Sequence, residues 1–188
     1  MAYLTPHSDL VALMVLEHQA EMHNFIARAG IQTRLALHEE AELNRELGRA
    51  ADYRSETTTR RIKNACDPLV KYMLCCNEAP LTDAIAGTSS FAQEFVQRGP
   101  RDGQGRSLRD LDVRTRLFKY PCSYLIYSPA FAALPAEAQD YTLHRLYDVL
   151  QGRAYSRDFD HLTGDDCRAI REILTATKKD LPAYWNAP

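Results

Sequence analysis

An apolar stripe in helical phase from residue 11 to residue 47 decides the architecture before anything else is considered. At about 100° per residue, Val11, Met14, Val15, Met22, Phe25 and Ala29 share one face. Ala36, Leu43 and Leu47 carry the same face past Gly30. A strand, whose side chains alternate between two faces, cannot keep such a stripe. The spacing predicts one long helix from about residue 8 to 47, bent at Gly30 and stopped by Gly48, with Ser8 as N-cap and Asp9 in the first turn.

The remainder reads as shorter helices punctuated by proline. A second helix starts near Ser55 and places Ile62, Cys66, Leu69, Met73 and Cys76 at helical spacing. Pro68 should kink it or restart it with Asp67 as N-cap. Residues 79–112 form an irregular connector with one short helix over Phe91 to Gln97. Val113 to Tyr127 carries apolar and tyrosine positions at helical intervals around Pro121, which predicts two short helices or one kinked helix. Ser128-Pro129, Leu134-Pro135 and Thr163-Gly164-Asp165-Asp166 open later helices, one from about Ala136 to Leu150 and one through about Thr175. The tail Leu181 to Trp185 should dock its rings on the bundle. With no strand pattern and no internal repeat, the expected fold is all-α: residues 1–188 as a single helical domain, an irregular bundle with one long N-terminal helix.

Charge and hydropathy remove several classes of function. The formal net charge is −2, which does not supply the positive field that nucleic-acid or anionic-membrane binding needs. No apolar run approaches the ~20 residues of a membrane span, and the first residues lack the basic and apolar regions of a secretory signal. Between Arg98 and Lys119 cations and aspartates mix, as in a solvated, salt-bridged face. The glycines of Arg101 to Arg106 follow no apolar strand, so they do not form a phosphate-cradling loop.

The five cysteines, Cys66, Cys75, Cys76, Cys122 and Cys167, show no metal or covalent-haem spacing. Most read as core packing. Cys122, near Arg116 and Lys119, is the one candidate nucleophile. No serine or cysteine triad assembles from sequence proximity, and no enzyme class is assigned.

The chemical candidate is His18. It falls at the centre of the first helix's apolar face, between Met14, Val15, Met22 and Phe25. A buried imidazole needs partners, because an unpaired polar group costs ~1–3 kcal/mol. The partner could be a carbonyl, a side chain, a metal or a haem iron. Bundles build metal sites from inward Glu and His, and here Glu21, Glu40 and His144 could join His18, although a Glu-x-x-His pair on two helices is missing. His7 precedes the helix and could ligate only if another domain covered it. His23, His38 and His161 read as surface residues.

Four stretches, Tyr3 to Asp9, Val15 to Gln19, Glu78 to Thr82 and Leu117 to Tyr124, resemble the C-terminal region of uncharacterised bacterial cell-envelope proteins associated with c-type cytochromes. His161 to Ile170 is similar to the last helix of many small cytochrome c domains. The resemblance implies a periplasmic or envelope redox module with a haem-bearing domain or redox protein as partner. Without Cys-x-x-Cys-His, His18 or His7 would ligate haem held elsewhere or non-covalently. The competing expectations are a structural or interaction domain without cofactor, and a non-haem bundle enzyme with iron or another transition metal.

Overall fold

The computed structural model describes residues 8–153 and 156–186. Among these, six α-helices and three 3₁₀ turns form an all-α fold without strands. The long helix is one element, α1, Leu10–Glu46. Its N-cap is Asp9 and not Ser8: the Asp9 carboxylate accepts from the Ala12 amide and also from the Ser89 amide, which ties the connector to the helix start. Gly30 does not end the helix. A Cβ there would stand 3.3 Å from the Leu134 side chain, so the glycine lets another segment approach closely.

The far end of α1 departs from the expected stripe. Leu43 and Leu47 are exposed, and the inward positions are Thr33, Ala36, Glu40 and Asn44. The cause is geometric: a seven-residue repeat drifts by ~20° per repeat on a straight helix, so Met22, Ala29 and Ala36 are still fully buried while Leu43, three repeats on from Met22, has turned about 60° and faces out. Glu40 and Asn44 then do capping work. Asn44 Nδ2 donates to the Tyr53 carbonyl at 2.9 Å, and Glu40 accepts from the Ser55 amide at 2.7 Å and from Arg54 at 2.6 Å. These bonds fold the chain back into α2, Glu56–Met73, N-capped by Ser55 as expected. The two helices run antiparallel, since Glu39 meets Arg61 at one end while His18 stacks on Tyr72 at the other.

Helix α2 passes through Pro68 without restarting at Asp67. Asp67 instead accepts from the Tyr141 hydroxyl at 2.6 Å, which anchors α2 to a later helix. The short α3 spans Phe91–Gln97, α4 Pro129–Ala132, α5 Ala136–Leu150 and α6 Gly164–Thr177. Thr163 and Asp166 form a capping box at the start of α6. The expected helices over Val113 to Tyr127 are not there. Asp112 captures the Thr115 and Arg116 amides, Val113 takes a positive φ of 53°, and Leu111 makes an isolated antiparallel bridge to Phe118. Local side-chain capture of backbone amides outcompetes the helix there, and one 3₁₀ turn remains at Tyr124–Tyr127.

The cationic connector is salt-bridged as expected: Arg106 joins Asp102 and Glu172, and Arg116 joins Asp166. One core runs from α1 and α2 through Phe118, Tyr124 and Phe131 to α5 and α6. The tail docks as expected, with Trp185 buried against Tyr147 at 5.3 Å between ring centroids.

Candidate functional site

Four segments meet around His18. The ring hangs from the third turn of α1, half-buried, and its Nε2 pairs with Ser123 Oγ at 2.8 Å. Ser123 is fully buried, and its backbone amide donates to the Met73 carbonyl, so the hydroxyl is fixed by the end of α2. Three aromatic rings enclose the imidazole: Tyr72 stacks on it at 5.4 Å, Phe118 meets it edge-on at 4.8 Å, and Tyr124 lies tilted at 6.2 Å. Burial holds its pKa down to about 4, so the ring is neutral at pH 7.

The imidazole forms part of the wall of a cleft of about 460 Å³, a size typical of small-ligand sites. Met14, Ala20, Tyr72 and Leu117 give it an apolar lining, and Glu17, Glu21 and Glu78 give it carboxylates. Burial raises the Glu78 carboxyl above its ordinary value and pushes the Tyr72 phenol up to about 12. No Lys or Arg lines the cleft among the described residues. Its floor is the turn that ends α2, where Cys75 and Asn77 both adopt left-handed backbone, with φ of 56° and 62°. Non-glycine residues rarely take that conformation, and such turns concentrate at functional sites.

The expected four-residue metal site does not assemble. Glu40 lies on the same continuous helix as His18, about 33 Å further along at 1.5 Å per residue. It is spent on Ser55 and Arg54; burial would raise its pKa, but bonds from Ser55, Thr58 and Arg54 outweigh burial and hold it down to about 2. His144 is exposed on α5 beside Asp148, at 3.7 Å. Glu21 does share the cleft with His18, and it accepts from Asn24. No cluster of three or more His, Cys, Asp or Glu able to hold a metal ion occurs among the described residues. His7 lies outside the described residues. Cys122 is no nucleophile: it is fully buried, and burial pushes its thiol up to about 12. His161, expected on the surface, is exposed but bonds through Nε2 to the Leu74 carbonyl at 2.7 Å.

Sequence reasoning found His18 and Glu21 but missed Ser123, Tyr72, Glu78 and Cys75. Helical spacing cannot bring Ser123 to His18, because its segment is not helical up to that residue. The stretches Val15 to Gln19, Glu78 to Thr82 and Leu117 to Tyr124, far apart in the sequence, come together at this cleft through His18, Glu78, Leu117 and Ser123. No protein-family model, curated protein or solved structure matches this chain.

Proposed function

We propose that this chain is a cofactor-associated helical module in which His18 supplies a single neutral imidazole to a metal centre that brings its other ligands with it. Haem iron, four of whose positions are filled by the porphyrin, is the form that the resemblance implies. The observation that carries the reading is the state of the ring. The 2.8 Å contact to Ser123 engages Nε2 alone; in the tautomer whose Nε2–H donates to Ser123 Oγ, Nδ1 keeps its lone pair for a metal. That is the arrangement of ligating histidines, whose second nitrogen is fixed by a neighbouring group, and the neutral form held by burial is the ligating form. The apolar lining suits a porphyrin edge, and the missing cations mean that its anionic propionates would face solvent.

The test is titration of the purified chain with ferric haem, followed by Soret absorbance and by melting temperature. Imidazole ligation should appear in the wild type and vanish in His18→Ala, and Ser123→Ala should weaken binding by about 10–100-fold. A wild type whose spectrum and melting temperature ignore haem overturns the proposal, because a ligand of the native state must raise stability.

A second reading follows from the same bond. His18 joins α1 to the Ser123 segment across a large sequence separation, inside a ring of aromatics, and this suits a clasp in a domain that binds no cofactor. On that reading His18→Gln lowers the melting temperature and haem leaves every variant unchanged.

A further inference from the structure

Helix α1 is apolar on two sides. Opposite its buried stripe runs a second one, formed by Leu13, Leu16, Ala20, Ala27, Ile31 and Leu35, all exposed; Leu16 and Ile31 are each 60% exposed. Exposed Asn24 and Glu17 are the polar residues within this arc besides those near its ends, and an exposed apolar stripe this long suits an interaction site. The order of residues in it specifies the partner. Reversing the helix about Asn24 sets Leu13 opposite Leu35, and sets Leu16 and Ala20 within one residue, about 1.5 Å of rise, of Ile31 and Ala27. Large residues thus face large ones at both ends, and alanines face alanines in the middle, where two helices cross most closely.

The charges follow the same reversal. Glu21 and Arg28 lie on one edge of the stripe, and a two-fold axis brings like edges together, so each Glu21 comes level with Arg28 of the partner subunit. The one cation inside the stripe, Arg34, is drawn aside, since its guanidinium donates to the Ala133 carbonyl at 3.1 Å. We infer that α1 pairs with α1 of a second copy of this chain, antiparallel and centred on Asn24, through the stripe from Leu13 to Leu35. Ala20 and Glu21 also line the His18 cleft, so the pairing brings Arg28 of the partner subunit to the rim of a cleft that has no cation of its own.

Analytical ultracentrifugation over a concentration series tests this. The wild type should be dimeric, and Ile31→Glu or Leu16→Glu should raise the dimer dissociation constant at least about tenfold with helical content unchanged, because both side chains are exposed in the single chain. Glu21→Arg and Arg28→Glu should each weaken the dimer, and the two together should restore it; a parallel pairing or a different register would show no such rescue. A wild type that stays monomeric up to about 0.1 mM, a dimer indifferent to Ile31→Glu and Leu16→Glu, or a stripe that binds only some other protein or a lipid surface overturns the inference.

Discussion

His18 is where burial, hydrogen bonding and charge act on one side chain. Its ring is packed by Tyr72 and Phe118 and bonded to Ser123, so His18→Ala removes packing and orphans a buried hydroxyl; a loss of about 2 kcal/mol in chemical denaturation is expected. The pH dependence has a definite sign. The folded ring titrates at about 4 against 6.5 for the free side chain, so between these values the unfolded chain binds the extra proton. Stability from this group is therefore intact above pH 6.5 and falls as pH drops toward 4, by at most about 1.4 kcal/mol per pH unit. Glu40 adds a lower window: its pKa is held down from 4.5 to about 2, and its contribution is lost as pH falls across that interval. Urea titrations at several pH values should show His18→Gln flattening the upper window and leaving the lower one.

At the scale of elements, the turn from α1 to α2 depends on two polar residues that occupy inward positions. Glu40 is only 5% exposed and binds the Ser55 amide, the N-cap of α2, as well as Arg54. Glu40→Ala should cost about 3 kcal/mol, because it strips a buried bond from an amide and leaves Arg54 without its buried partner. Gly30→Ala should be close to neutral. The gain in helix propensity, about 0.5–1 kcal/mol, is set against approaches of 3.0 Å to the mobile Arg34 guanidinium and 3.3 Å to Leu134, each of which must give by a few tenths of an ångström. The helices themselves were legible: α1, α2, α5 and α6 follow from apolar spacing, Ser and Thr caps and glycine stops. Helical spacing failed in Val113 to Tyr127, where Asp112 claims amides that a helix would need. The cleft was half legible for the same reason. Periodicity on one helix placed His18 and Glu21, but the partners of His18 come from a loop whose path depends on long-range contacts.

Over the whole molecule, the C-terminal tail closes the core. Trp185 is 2% exposed and is the one tryptophan of the chain, so its fluorescence reports that closure directly. Trp185→Ala should destabilise the fold by about 3–5 kcal/mol. In the wild type the red shift of tryptophan emission should coincide with the loss of helical circular dichroism, since one continuous core joins α1, α2, α5 and α6 to the tail. An earlier emission change would show that the tail undocks as a separate unit.

The cysteines carry a last consequence of the packing. Cys66, Cys75, Cys76 and Cys122 are free and buried; burial pushes the thiols of Cys76 and Cys122 up to about 12 and raises that of Cys75 well above its ordinary value. A sulfur that is both shielded and protonated does not react with iodoacetamide, so alkylation must wait until the chain breathes. Mass-spectrometric labelling rates then become clocks: half-buried Cys167 runs fast, Cys75 and Cys76 time excursions of the turn that ends α2, and Cys122 ticks only when the entire bundle comes apart.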